Sequence, residues 1–249
     1  MKRNYFYINK EFGDEESVKI GLNWLISICK LKKNGQALLA VIQKENLKGM
    51  IENVLNRSII NKLILNKDVI LENIQLKVIT EKERLYDWKG PILIAFPNKK
   101  LLDKIDSMPS VVDVLVIPYS LSEIQYWINT WNAQSFGEKR SEERQSSLSS
   151  LTKEALKMLV NSTNKGIIHP LDKAKTVDLF KKLIYSGEKI NADDVRVWLV
   201  REGEWKPKNA DDVRELVEKI CVGKNIKTIG KSFWEDNILD QLRAKMNEV

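Results

Sequence analysis

Asn225-Ile226-Lys227-Thr228-Ile229-Gly230-Lys231-Ser232 ends in glycine–lysine–serine. At this spacing a phosphate-binding loop uses backbone N–H groups and a lysine to cradle phosphates, and a hydroxyl to meet magnesium. The motif needs a first glycine, and position 225 is asparagine. It also needs a strand before it and a helix after it, inside an α/β core. The flanking pattern here is helical, so the segment reads as a chance likeness that leaves Lys227 and Lys231 on a basic surface. His169 is the only histidine, and the one side chain able to act as a base near neutrality without strong tuning. It precedes Pro170 at a helix start, where the dipole disfavours protonation, and no serine or cysteine is marked as its partner. We read it as a helix-terminal residue.

Metal and carboxylate chemistry is no better supported. Two cysteines, Cys29 and Cys221, and one histidine are too few for a four-ligand Cys/His zinc site. Both cysteines fall in apolar helical patterns and read as buried free thiols of a reducing compartment. Glu81-Lys82-Glu83, Asp103 with Asp106, Glu142-Glu143 and Asp193-Asp194 each read as solvated faces or caps, although two carboxylates for hydrolysis converge only in space. No Gly-x-Gly-x-x-Gly follows the first apolar strand, where Gln43, Lys44, Glu45 and Asn46 stand instead. That argues against a dinucleotide site. No Gly-x-Ser-x-Gly elbow occurs either. No cofactor is expected.

The elements that would position any site are clearer. Pro91-Ile92-Leu93-Ile94-Ala95-Phe96 and Val111-Val112-Asp113-Val114-Leu115-Val116-Ile117 are near-continuous apolar runs. Between them Asn98 to Ile105 has helical spacing. A strand–helix–strand unit with such strands marks a parallel sheet covered on both faces. Ala37 to Ile42 is a further buried strand, and Ile74 to Thr80 a half-exposed one. Helices are predicted from Gly13-Asp14-Glu15-Glu16 to about Lys30, from Asn46 to Leu55, and from a capping box at Ser120-Leu121-Ser122-Glu123. Ser58 to Leu71 is ambiguous.

These readings give a Rossmann-like three-layer α/β domain with a mostly parallel sheet over residues 1–133. A polar linker follows over 134–150, and an all-α domain over 151–249. In the last, helices are predicted over Thr152–Asn161, from His169-Pro170 to Ser186-Gly187, and from near Ser232 to beyond Leu242. Asn191-Ala192-Asp193-Asp194-Val195-Arg196 recurs as Asn209-Ala210-Asp211-Asp212-Val213-Arg214, which reads as a repeated helix start with an asparagine cap.

In open α/β sheets ligands bind beyond the carboxyl ends of the strands. That edge would hold Lys44, Thr80, Asn98, Tyr119 and Ser120, with helix N-termini at Asn98 and Ser120 offering free amides to an anion. The expected function is therefore recognition of a protein or a small anionic ligand, without catalysis. An enzyme whose site assembles only in space is one alternative. The net charge of +7 and isoelectric point near 9.2 permit another: nucleic-acid binding by the helical domain, through Lys227, Lys231 and Trp234. The charge is spread, roughly +4 before the linker and +3 after it, and lysine, asparagine and isoleucine are all common. Of the seven tryptophans, Trp24, Trp127, Trp131 and Trp198 lie on apolar helix faces, and Trp205 and Trp234 are the candidates for exposure. Met1 to Lys10 has a basic start but no sustained apolar run, so neither a secretory leader nor a membrane partner is expected, and the location is read as cytoplasmic.

Limited trypsin digestion is expected to cut within 134–150 and leave two folded fragments. Uniform resistance there, read by mass spectrometry, would contradict the division into two domains.

Overall fold

The computed structural model describes residues 3–67, 69–84, 88–108, 110–138, 146–230 and 232–247. The chain divides into two compact units, residues 1–143 and 144–249. The first is a mixed α/β unit around a seven-stranded sheet. In chain order it runs β1 (Asn4–Tyr7), α1 (Glu15–Leu31), β2 (Gln36–Val41), a 3-10 turn (Lys44–Leu47), α2 (Met50–Leu55), α3 (Arg57–Ile64), β3 (Val69–Leu71), β4 (Ile74–Thr80), β5 (Ile92–Ala95), α4 (Lys99–Asp106), β6 (Asp113–Ile117), α5 (Leu121–Trp131) and β7 (Gln134–Ser135). The strand order is β3-β4-β2-β5-β6-β1-β7. Among the described residues only the β3–β4 pair is antiparallel.

The apolar runs sort by period two. Leu39, Val41, Leu93, Ala95, Leu115 and Ile117 pack on one face with Val18, Leu22 and Leu25 of α1, Ile51 of α2 and Ile60 of α3. Leu38, Ala40, Ile92, Ile94, Val114 and Val116 pack on the other with Leu101 and Ile105 of α4 and with Ile124 and Trp127 of α5. Alternate side chains of one strand thus feed two cores, and both must be apolar.

Several boundaries differ from expectation. β1 was not predicted, because four residues of asparagine and aromatics after a basic start show no clean period. It nevertheless pairs with both β6 and β7, with Tyr5 opposite Val114 and Phe6 opposite Gln134. Gln134 and Ser135, expected to open the linker, therefore belong to the sheet. Residues 139–145 of that segment lie outside the described residues, and Ser150 already opens a helix. The helix expected over Asn46–Leu55 is broken at Gly49, whose φ of 83° leaves the helical region. The ambiguous stretch resolves into α3 and β3, with Asn56 capping α3 by accepting from the Ile59 amide at 3.1 Å.

The second unit is helical: α6 (Ser150–Ser162), α7 (Pro170–Tyr185), α8 (Ala192–Arg201), α9 (Pro207–Cys221) and α10 (Ile238–Asn247). α10 begins later than expected because the Asp178 carboxylate of α7 accepts from the amides of Phe233 and Trp234, at 2.8 and 2.9 Å, and holds them in a loop. The hexapeptide repeat is not a repeated helix start. Asn191 caps α8, accepting from the Asp193 and Asp194 amides. Asn209 lies inside α9, after Pro207, and donates to the Lys165 carbonyl at 2.6 Å. What repeats is the pairing. Arg196 of α8 meets Asp211 of α9 at 2.5 Å, and Arg214 of α9 meets Asp193 of α8 at 2.6 Å, so the helices run antiparallel. Cys29 is buried as expected, its thiol pushed up to about 11 by burial. Cys221, at the end of α9, is exposed. Among the described residues no helix is long and apolar enough to cross a membrane.

One buried acid stands at the C-terminal end of α4. The Asp106 carboxylate accepts from the Trp127 indole at 3.2 Å, beneath an aromatic cluster in which Tyr5 stacks on Trp131 and Arg3 lies 4.6 Å over the Trp131 ring. Burial pushes the carboxyl up to about 7, against the pull of the Trp127 donor and Arg3. The unfolded chain ionises this group near the ordinary 3.8, so between those values the folded state binds the extra proton and stability falls as pH rises. Asp106→Asn is expected to flatten that fall and gain on the order of a few kcal/mol at pH 8 relative to pH 4. Urea denaturation at both pH values measures it, and identical slopes for the two proteins would refute the assignment.

Candidate functional site

β4, β2, β5, β6 and β1 are parallel, so their carboxyl ends share one edge. A cavity of about 310 Å³ opens there, lined by Ile42, Gln43, Lys44 and Glu45 after β2 and by Thr80, Glu81, Lys82 and Glu83 at the end of β4. Lys44 reaches across it. Its ammonium donates to the Ile64 carbonyl at 3.0 Å and to Asn66 Oδ1 at 2.6 Å, and lies 3.5 Å from Glu83 Oε1. The other Glu83 oxygen accepts from the Thr80 amide at 2.9 Å and its hydroxyl at 3.1 Å. Lys104 of α4 donates to the carbonyls of Thr80 and Glu83. Burial lowers its pKa, with Glu83 and Glu81 opposing. Asn98 caps α4, accepting from the Leu101 amide at 2.9 Å, and donates to Glu81 Oε2 at 2.8 Å.

Lys44, Thr80 and Asn98 are therefore brought into one network, and the groups that join them are Glu81 and Glu83. Sequence reasoning reads both as solvated faces or caps, with Glu81 next to Thr80 on the strand-end edge, and assigns neither a partner. The signal was Thr80-x-x-Glu83, the same spacing of hydroxyl and carboxylate that lets a capping box close on itself.

Tyr119 and Ser120 stand elsewhere on this edge and do not line the cavity. The capping box expected at Ser120 does not form. Its hydroxyl lies 2.9 Å from that of Ser122, and the Leu121 amide donates to Glu11 Oε1 at 3.2 Å. A carboxylate from the β1–α1 loop thus occupies the anion position of α5. Asp14 does the same at α1, accepting from the Ser17 amide and hydroxyl at 2.9 and 2.8 Å. With Lys10 beside it, its carboxyl is held well below the usual range. Tyr119 presents its ring to solvent against Phe12.

In the second unit Lys227 is exposed in the loop between α9 and α10, and Lys231 lies outside the described residues. Trp234 is half-buried, its indole donating to the Lys175 carbonyl at 2.9 Å. Trp205, expected to be exposed, is 2% exposed; it packs back after a glycine turn. The loop-like motif at 225–232 follows α9 and a turn, not a strand. His169 caps α7, its Nδ1 accepting from the Leu171 amide at 3.3 Å. Among the described residues no cluster of three or more histidine, cysteine or acidic side chains is placed to hold a metal.

Residues 148–243 match the model of a family described as a domain of unknown function, DUF1889. The match lies wholly within the second compact unit. No curated protein and no solved structure matches the chain.

Lys44→Met removes a donor from the half-buried Ile64 carbonyl and the exposed Asn66 side chain, and a counter-charge from Glu83. It is expected to cost about 0.5–1.5 kcal/mol of folding stability, measured by urea unfolding. Unchanged stability would show that these bonds do not hold the loop.

Proposed function

We propose that the chain is a cytoplasmic recognition protein that binds a partner without making or breaking bonds. It joins a Rossmann-like α/β unit, through the polar segment after β7, to a helical unit. The observation that carries this reading is the internal matching of charge along the carboxyl edge of the sheet. A general base or nucleophile must keep a proton or lone pair within reach of a substrate. Here the ammonium groups of Lys44 and Lys104 are committed to carbonyls and to Glu83. A free small anion gains from unmatched cations and open helix amides. Glu11, Asp14 and Asn98 already occupy the amides of α5, α1 and α4. Of the two ligand classes weighed from the sequence, a protein surface suits such an edge better. It mixes donors with acceptors and exposes the rings of Phe12 and Tyr119.

The test is site-specific photo-crosslinking in the cell. A photoreactive residue replacing the exposed Gln43 or Lys82 is expected to trap a protein of discrete mass, while the same residue at the exposed Lys189 traps none. Saturable binding of inorganic phosphate with no crosslink from either position would overturn the proposal.

A further inference from the structure

Phe12 and Tyr119 are large apolar residues left in water on the rim of the sheet's carboxyl edge, 67% and 53% exposed. Their rings meet edge to face, with centroids 5.6 Å apart at 82°. They are locked in place rather than loose. The Phe12 amide donates to the Tyr119 carbonyl at 2.8 Å. Gly13 fits where a Cβ would come within 2.5 Å of the Phe96 ring and 3.1 Å of the Pro118 carbonyl. Phe12 itself has a φ of 53°, a region that bulky residues avoid. Two separate costs, backbone strain and apolar exposure, fall on the same residue, whose ring touches Tyr119 and stays two-thirds exposed.

The surroundings of the pair are acidic in a chain of net charge +7. Glu11, Glu15, Glu16 and Glu123 are exposed on the opening turns of α1 and α5 or just before them. Lys10 is bonded to Asp14, Lys19 lies 3.9 Å from Glu16, and Glu15 accepts from the Asn53 side chain at 2.7 Å, so four carboxylates meet two cations over residues 10–19. Aromatic faces and carboxylates share one preferred guest, the lysine ammonium or arginine guanidinium. Glu11, Glu15 and Glu16 stand beside Phe12 in the sequence and Glu123 beside Tyr119, so successive cations on one chain engage carboxylates next to both rings. We propose that this rim docks a lysine- or arginine-rich segment of a partner polypeptide. The proposal rests on the recognition reading above and adds the partner's chemistry to it.

The experiment titrates the full chain into fluorescein-labelled peptides of one length, Arg/Lys-rich, Glu-rich or uncharged, at several salt concentrations. Only the basic peptide is expected to bind, more weakly as salt rises. Phe12→Asn with Tyr119→Ser is expected to weaken binding at least tenfold. Glu11→Gln with Glu123→Gln should weaken it several-fold, since glutamine still accepts from the Leu121 amide. Asparagine tolerates a positive φ, so Phe12→Asn alone is expected to leave the melting temperature unchanged or raise it. A lowered melting temperature would make the ring structural and overturn the proposal. So would equal binding of the Glu-rich peptide, or basic-peptide binding that survives the aromatic substitutions. A wild-type dimer in sedimentation that the same substitutions dissociate would assign the surface to a second copy and also overturn it. Crosslinks from position 43 without basic-peptide binding would sink the partner class while leaving the recognition reading standing.

Discussion

Two-sided burial of the central strands is the constraint from which the rest of the first unit follows. Every side chain of β5 and β6, and of β2 after Gln36, is buried. Each strand must satisfy two cores at once, so each is apolar throughout, and helices must lie on both faces. Neighbouring strands saturate the backbone hydrogen bonds. Truncating one of these leucines or isoleucines costs about 2–5 kcal/mol, a large part of the stability of a unit this size. Substitutions in the strands therefore report on folding. The residues beyond the strand ends are free of that double demand, and the parallel arrangement gathers those ends on one edge.

That edge is built by carboxylates acting as ligands for the chain's own donors. Glu83 holds the Thr80 turn and faces Lys44, Glu81 steadies the Asn98 cap, and Glu11 and Asp14 sit on helix amides. A hydrogen bond to a charged group contributes about 1.5–3 kcal/mol, so a competing anion would have to replace several of these at once. Each of these bonds ties a loop to its neighbour and so restricts the loops. A surface restricted in this way loses little order on association, which is what the proposed recognition would benefit from.

The architecture was legible wherever pattern and period agreed. β2, β5 and β6 emerged from uninterrupted apolar runs, their helices from apolar spacing and end signals, and α8 from its Asn191 cap. β1 and β7 were not legible, because Asn4–Tyr7 and Gln134–Ser135 are short and their strand character depends on partners more than a hundred residues away in sequence. The same limit applied to the site. Lys44, Thr80 and Asn98 followed from the rule about strand ends, but their roles depend on Glu81 and Glu83, and side-chain pairing across loops leaves no periodic trace. Ser120 had the right sequence for a capping box. Glu11, 110 positions before Leu121, took its place on the Leu121 amide, an outcome that local pattern cannot anticipate. Trp205 was misjudged for the opposite reason: polar neighbours on both sides concealed a ring that turns inward.

The reciprocal Arg–Asp pairing of α8 and α9 has a consequence for how the second unit identifies itself. Each helix offers the same motif and accepts the same motif, so the charges form a self-complementary code with a local twofold character. By charge alone, α8 meets its own α9 and that of another molecule on equal terms. The choice is made by the short connection 202–206, which keeps the two helices at high effective concentration. Gly203 tightens that connection, because a Cβ there would press to 2.8 Å against the Leu199 carbonyl. The identity of the hairpin as an intramolecular structure thus resides in its loop, while its stability resides in its helices.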